Sequence, residues 1–168
     1  MITKKIDTET LEVTDSKGRT FLISPEDEEL VKKYTWYVSK VGYVERKEWA
    51  NGANITRRLH KSVLPNVKMV DHINGDRTDN RRINLRSCNK STNSMNTALP
   101  SNNQYGYKGI TRRTEPNYQG REVYRACIRV SGKVINLGTF YSLKEAGAAR
   151  LAAEEKYFGS YRREYCNG

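Results

Sequence analysis

The segment from Val70 to Arg86 constrains the fold most, because it interrupts any regular hydrophobic period that a long helix or strand would need. Two dipeptides within it, Asn74-Gly75 and Asp79-Asn80, are typical of turns, and charged side chains separate its few apolar residues. The pattern predicts short elements joined by a polar loop. On these residues alone, the loop is either an ordinary solvated hairpin or a site for chemistry.

The charge balance narrows the choice of partner. The chain has 30 Lys and Arg against 19 Asp and Glu, a formal net charge of +11. This surplus favours a polyanion such as nucleic acid, although an anionic membrane surface would attract it equally. No stretch approaches the roughly 20 consecutive apolar residues that span a bilayer, and the first ten residues lack a signal-peptide core. We therefore expect an intracellular protein without a membrane partner.

The cysteines limit the metal chemistry. Cys88, Cys127 and Cys166 are odd in number and widely spaced, which argues against both a disulfide framework and a paired-cysteine zinc site. Any metal would then be bound by oxygen and nitrogen ligands, where harder divalent ions such as magnesium or manganese are at home.

The turn-forming stretch Pro100 to Gln104 predicts a linker at 99–105. It separates two small domains, one at 1–98 and the other at 106–168. In the first, the strands Leu11–Thr14 and Thr20–Ile23 form a hairpin, followed by a helix that Ser24 caps in a Ser-x-x-acid pattern with Asp27.

The second domain is predicted to contain three strands and one helix. The last two strands are joined at Ser131 and Gly132, and the helix begins at a capping box of Ser142 and Glu145 and stops at Gly159. Together the two halves predict an α+β fold.

Phosphodiester hydrolysis needs a base that takes a proton from water and a positive centre that stabilises charge on the phosphate and leaving oxygen. His72 can be the base, since its ordinary pKa leaves it largely neutral at cellular pH. The neighbouring Asp71 can hold a cation, and Asn93 can add a carbonyl ligand if the fold brings it close.

The order of these residues resembles the HNH motif of phage and intron homing endonucleases. The resemblance covers about 57–97 and rests on Asp71-His72-Ile73-Asn74-Gly75-Asp76, on Asp79-Asn80-Arg81-Arg82-x-Asn84-Leu85-Arg86, and on the Asn-rich stretch Asn89 to Asn96. It implies a ββα-metal fold, also called a His-Me finger, in which a two-stranded ribbon and a helix surround one divalent ion. It also implies a metal-dependent DNA endonuclease in a bacterial cytoplasm or phage-infected host.

The resemblance assigns catalytic roles by position. His72 matches the general base and Asn84 the central Asn that braces the loop carrying it. Asp71 and Asn93 match the two metal ligands. Because Asn stands at the last position, Mg²⁺ or Mn²⁺ is expected and zinc is disfavoured. No small-molecule cofactor is implied.

The sequence leaves the roles of several further side chains undecided. Asn96 is a possible ligand, but a capping or supporting role is favoured. His60 is expected to be structural or to contact a phosphate rather than to act in catalysis. Guanidinium groups beside the centre can grip phosphate in two-pronged contacts, and the candidates are Arg81, Arg82 and Arg86.

The second domain resembles the DNA-binding domain of plant ethylene response factors. The matching residues are Gly106-Tyr107-Lys108-Gly109-Ile110, Tyr124-Arg125-Ala126-x-Ile128, Leu137-Gly138-Thr139-Phe140 and the Ala-rich helix ending at Phe158-Gly159. The family places its sheet in the major groove of double-stranded DNA. This implies DNA contacts from Arg112, Arg113, Arg125 and Arg129. Tyr124 stands where the family usually has Trp, so the base preference does not carry over.

Two alternatives fit the same charge. One is a non-catalytic DNA-binding regulator that keeps a nuclease-like fold, and the other is an RNA-binding factor, which leaves the Asp71-His72 centre unexplained. A monomer with one centre would nick DNA, whereas a homodimer could cut both strands. The sequence does not decide between them, nor does it give the target site.

Overall fold

The computed structural model describes residues 1–114 and 118–162 of the 168-residue chain. The chain divides into two compact units, Met1–Asn89 and Lys90–Gly168. The division falls ahead of the predicted linker at 99–105, and the helix at Lys90–Met95 is counted with the second unit. The domain limits read from the sequence stay a prediction.

Short strands dominate the first unit. Its strands are β1 (Ile2–Lys5), β2 (Leu11–Thr14), β3 (Thr20–Ile23), β4 (Tyr37–Val38), β5 (Val44–Ala50), β6 (Ala53–Arg58), β7 (Val70–His72), β8 (Asp79–Asn80) and β9 (Leu85–Ser87). Its helices are α1 (Glu28–Lys32) and α2 (Leu59–Val63), with 3₁₀ turns at Pro25–Asp27 and Arg82–Asn84.

These strands form three small sheets. The largest has the order β1-β2-β3-β8, with β8 parallel to β3 and the other pairs antiparallel. The second is the antiparallel sheet β4-β5-β6, and the third is the ribbon β7-β9. Strand β8 therefore connects the loop between the ribbon strands to the largest sheet.

The predicted hairpin at the start of the chain is confirmed with its limits. The turn between β2 and β3 is closed by Asp15, whose carboxylate accepts the backbone N–H of Lys17, Arg19 and Val38 and pairs with the Arg19 guanidinium at 2.7 Å. Burial opposes ionisation of Asp15, but these donors outweigh it and keep its pKa below the ordinary value. The carboxylate thus links the hairpin to β4.

Ser24 stands at the N-cap of the 3₁₀ turn that begins at Pro25, as predicted, but the predicted side-chain capping hydrogen bond does not form. The Ser24 side chain makes no capping hydrogen bond, and its hydroxyl instead accepts the backbone N–H of Arg82 at 2.9 Å. Asp27, the expected partner in the cap, binds the Arg82 guanidinium at 2.7 Å. A distant part of the chain competes for both side chains, which local spacing does not reveal.

The core of the first unit lies under the largest sheet and around α2. Trp36, Ile23 and Leu59 are fully buried in it. The remaining buried members come from several elements and are Leu11, Val13, Phe21, Val31, Val38, Val44, Val63, Val70 and Leu85. Both ribbon strands contribute to this core, so it fixes the ribbon at each strand.

The second unit contains the sheet and the helix expected from the sequence. Its elements are α3 (Lys90–Met95), β10 (Ile110–Thr114), β11 (Glu122–Val130), β12 (Lys133–Phe140), α4 (Leu143–Phe158) and a 3₁₀ turn at Gly159–Tyr161. The sheet is antiparallel in the order β10-β11-β12. Ser142 accepts the backbone N–H of Glu145 at 3.2 Å, and Gly159 follows the last helical residue, as predicted.

Helix α4 packs on one face of this sheet. Ala126 and Ala146 are fully buried between them, and Ile128 packs with Ala153 further along. The approach is close at Gly147, where an added Cβ would lie 2.5 Å from the Tyr107 ring carbon Cζ. Small residues on the helix therefore set its distance from the elements beneath it.

The α+β class is thus confirmed as a mixed fold with several small sheets and few helices. In the described ranges, no helix is both long and apolar enough to cross a membrane. Cys88 and Cys127 are free thiols, whereas Cys166 lies outside the described residues.

Candidate functional site

The ribbon presents the Asp-His pair on one strand. In the antiparallel register of β7 and β9, Asp71 lies opposite Arg86 and His72 lies opposite Leu85. Both residues of the pair are buried, at 8% and 5% exposure. Because Val70 and Leu85 belong to the hydrophobic core, the backbone under the pair is held on both strands.

Arg86 binds the carboxylate of Asp71. Its Nε and Nη2 atoms lie 3.1 and 2.9 Å from Oδ2 of Asp71, and the register places the two side chains opposite each other. Sequence reasoning assigned Arg86 to DNA. The structure places its guanidinium against the proposed metal ligand, where its positive charge balances a buried carboxylate, and its DNA contact stays a prediction.

Asn80 orients the His72 ring. Its Nδ2 donates to the backbone carbonyls of Arg77 and Thr78 at 3.3 and 3.1 Å, which leaves its Oδ1 to accept. That oxygen lies 3.4 Å from Nε2 of His72. Since an amide oxygen only accepts, neutral His72 carries its proton on Nε2 and its lone pair on Nδ1.

A second imidazole packs against the first. His60, on α2, is 4% exposed, and its ring meets the His72 ring edge to face with centroids 4.9 Å apart. Burial lowers the pKa of His60 to about 3, and the nearby His72 and Arg58 add to the shift. Burial also lowers the pKa of His72, although the Asn80 contact and Asp71 act in the opposite direction. Both rings are therefore neutral at pH 7.

Asn84 closes the loop between the ribbon strands. Its Oδ1 accepts the backbone N–H of Asn74 at 3.0 Å, and its Nδ2 donates to the carbonyl of Asp79 at 2.8 Å. Its own carbonyl accepts the N–H of Ile73 at 2.8 Å. With 6% exposure, Asn84 thus holds both arms of the loop that follows His72.

The other two motif arginines also pair with carboxylates. Arg81 binds Asp79 through Nε and Nη2 at 2.8 and 2.7 Å, and Arg82 binds Asp27 at 3.0 and 2.7 Å. Both carboxylates are buried. These contacts join the loop to β8 and to the segment before α1, so both arginines have a structural part in the first unit.

The remaining motif positions belong to the second unit. Asn93 is exposed on α3, and Asn96, just after that helix, is 4% exposed. The structure therefore describes Asp71 and Asn93 in separate units. In residues 1–114 and 118–162, no three His, Cys, Asp or Glu side chains lie close enough to hold a metal ion together. The oxygen donors of Asp71 and Asn93 are nevertheless of the kind that magnesium prefers.

The strand register sorts the predicted DNA-contacting arginines by face. Arg125 and Arg129 are exposed on the side of β11 away from α4, and Arg113 pairs with Val123 on that same side. Arg112 pairs with Tyr124, which packs toward α4, and its guanidinium lies 3.1 Å from Glu122. Three of the four candidates thus share one surface, and Arg112 does not.

Sequence reasoning missed three residues around the base. Asn80 belongs to the quoted motif but has no role assigned from the sequence, although its amide contacts His72. Tyr43, between β4 and β5, lies 6.3 Å from the His72 ring between centroids, and Arg77 stacks on Tyr43 at 4.5 Å. No local pattern marks Tyr43, because its position depends on how the second sheet meets the ribbon loop.

Comparison with known proteins agrees with the motif. Residues 58–95 match the HNH endonuclease family. An uncharacterized HNH endonuclease of Acanthamoeba polyphaga mimivirus is 29% identical over 153 residues, which cover 86% of this chain and 74% of the relative. No solved structure matches the chain. The matched segment contains His60, Asp71, His72, Asn80 and Asn84.

Proposed function

We propose that this chain is a metal-dependent DNA endonuclease of the HNH type that hydrolyses phosphodiester bonds with His72 as general base. The observation that carries the proposal is the buried His72 ring, kept neutral beside Asp71 and oriented by Asn80, inside the segment that matches HNH endonucleases. A neutral, oriented imidazole is what proton abstraction from water requires.

In the proposed reaction, Nδ1 of His72 takes a proton from the attacking water. The water oxygen bonds to phosphorus while the bond to the leaving oxygen breaks. Asn80 accepts from Nε2 and therefore stabilises the imidazolium that forms. Asn84 fixes the loop that follows His72, so the ring keeps its direction during the transfer.

Asp71 and Asn93 would hold the divalent ion, Mg²⁺ or Mn²⁺. HNH nucleases generally use such an ion, and when bound it would supply positive charge at the phosphate and the leaving oxygen. Arg86 contacts Oδ2 of Asp71 and so orients this carboxylate. This supports a role for Arg86 at the ion rather than on distant phosphates.

We further propose that the second unit delivers the centre to its target, as in homing endonucleases. The sheet face that carries Arg113, Arg125 and Arg129 would lie against duplex DNA, with α4 behind it. Exposed guanidinium groups on one sheet face can reach both base edges and phosphates. The resemblance to ethylene response factors is the ground for choosing this face.

The decisive experiment is nicking of supercoiled plasmid by the purified chain with Mg²⁺, with EDTA, and with the His72→Ala variant. We expect cleavage with Mg²⁺ and none in the two other reactions. Duplex affinity of the variant should stay close to that of the parent, and circular dichroism should show that the variant is folded at the assay temperature, although loss of the buried ring lowers its unfolding midpoint. Cleavage by His72→Ala at the parent rate would remove His72 from the mechanism.

The same assay tests the alternative. A chain that binds duplex DNA tightly but leaves plasmid intact with Mg²⁺ and with Mn²⁺ would be a non-catalytic DNA-binding regulator. Nicked circles as the product would indicate a single working centre, whereas linear DNA appearing without a nicked intermediate would indicate a dimer.

A further inference from the structure

Tyr43 stands between the two histidines and two arginines. Its ring centroid lies 5.5 Å from that of His60 and 6.3 Å from that of His72. The guanidinium carbons of Arg58 and Arg77 lie over the same ring, at 4.2 and 4.5 Å from its centroid. Two cations are therefore stacked on a ring that neighbours the proposed general base.

These two arginines differ from those of the HNH motif. Arg81, Arg82 and Arg86 each bind a buried carboxylate at 2.9 Å or less. A guanidinium directed at a carboxylate has part of its charge balanced before any substrate arrives. The motif arginines are therefore poor candidates for holding the DNA backbone beside His72.

Arg77 keeps its charge available. It is exposed, and within the ranges that the structure describes it forms no ion pair with a carboxylate. Its Nη1 donates to the carbonyl of Val41 at 2.8 Å, which fixes the side chain across the Tyr43 ring. Its backbone carbonyl accepts from Asn80, the residue that contacts His72. Arg77 is thus connected to the base through both its side chain and its backbone.

Arg58 opens onto a cationic cleft. Its only ion pair in the described ranges, to Glu45, is long at 3.3 Å, and 46% of its side chain is exposed. The cleft has a volume of about 400 Å³ and is lined by Thr56, Arg57, Arg58, Lys61 and Ser62. Three cations and two hydroxyl groups line it without a carboxylate, which is the donor set that phosphate oxygens need.

We propose that Arg58 and Arg77, stacked on Tyr43, form a clamp that holds a backbone phosphate of DNA next to the bond that is cleaved by the water His72 activates. The proposal rests on the nuclease function proposed above and names the groups that position its substrate. Contact with the Tyr43 ring holds each planar guanidinium in place and leaves N–H groups at its edge for phosphate oxygens. Contacts of this kind fix the register of the duplex without reading its sequence.

The test is the salt dependence of duplex binding, measured with the full chain in EDTA so that the DNA stays intact. Each phosphate contact contributes about 0.9 to the slope of log affinity against log salt. Because both arginines contact the same phosphate, Arg77→Gln and Arg58→Gln should each lower the slope by part of this amount, and the double variant by about the full amount. The matched control is Lys33→Gln, which removes an exposed cation that lies over another tyrosine, Tyr34, and should leave the slope near that of the parent.

Two variants of Tyr43 distinguish the effect of stacking on its ring from the effect of the arginine charges alone. Tyr43→Phe keeps the ring and should bind like the parent, whereas Tyr43→Leu should lower the slope without any change in charge. Slopes of Arg77→Gln and Arg58→Gln equal to that of Lys33→Gln would overturn the clamp, as would equal binding by the two Tyr43 variants. Plasmid nicking by the parent tests the nuclease function separately, so a parent that cuts DNA with unaltered slopes in the variants would reject the clamp alone.

Discussion

His60 and His72 meet edge to face at 4.9 Å between ring centroids, with an interplanar angle of 82°. Each ring removes water from the other, and both are nine-tenths buried or more. Neither can take a proton without placing a charge in a poorly solvated space. The contact therefore links the protonation of the site to the stability of the first unit.

We expect the first unit to lose stability as the pH falls below 6.5. The pKa of His60 is lowered by burial from 6.5 to about 3, so between these values the unfolded chain binds a proton that the folded chain does not. Stability then falls with pH by up to about 1.4 kcal/mol per unit, or about 2 kcal/mol at pH 5. Burial also lowers the pKa of His72, so His72 adds to the loss of stability at low pH.

Urea unfolding of the parent and of His60→Gln at pH 7 and pH 5 would measure this. The parent should lose more stability than the variant over that interval. If the two lost equal amounts, His60 would not be held neutral in the folded state.

Replacing Asn84 by Ala should impair cleavage more than binding. The change removes the hydrogen bonds to Asn74 and Asp79 that close the loop after His72, at a cost of about 1 to 3 kcal/mol in unfolding free energy. With the loop loosened, kcat for plasmid nicking should fall at least tenfold while the duplex dissociation constant changes little. A variant with parental kcat would show that the brace is dispensable.

Charge reversal on the sheet of the second unit tests DNA delivery. Arg125→Glu with Arg129→Glu places two negative charges on the face away from α4, and duplex affinity should fall by at least tenfold at moderate salt. Lys144→Glu with Lys156→Glu on α4 is the control for net charge, since it also reverses two exposed cations. Equal affinities of the double variant and the control would exclude this face as the DNA surface.

Gly147→Ala should destabilise the second unit. The new Cβ would lie 2.5 and 2.7 Å from Tyr107 ring atoms, so the helix or the ring must move. Overpacking of this kind costs about 1 to 3 kcal/mol, although alanine favours a helix over glycine. Thermal unfolding measures the change. Gly120→Ala would not serve as a control, because Gly120 has a positive φ of 71°, a backbone conformation that strains alanine. Ala148→Gly at an exposed position of the same helix is the reciprocal control and should cost about 1 kcal/mol from helix propensity alone. An unchanged or raised midpoint for Gly147→Ala would contradict the close approach.

Local patterns determined several elements of this protein. The β2–β3 hairpin, the cap at Ser142 and the end of α4 at Gly159 depend on residues a few positions apart, and all three were predicted. The Asp71-His72 pair and the spacing to Asn84 likewise identified the HNH segment, because motif spacing is a property of the sequence alone.

Tertiary structure decided which side chains are available for chemistry. The side chains of Ser24 and Asp27 bind Arg82 instead of forming capping hydrogen bonds, and Arg86 binds Asp71, because packing brings together groups from separate elements. The placing of Tyr43 beside His72 has the same origin. A sequence shows that an arginine or histidine is present, but the contacts that neutralise, orient or expose it arise only when separate elements pack against one another.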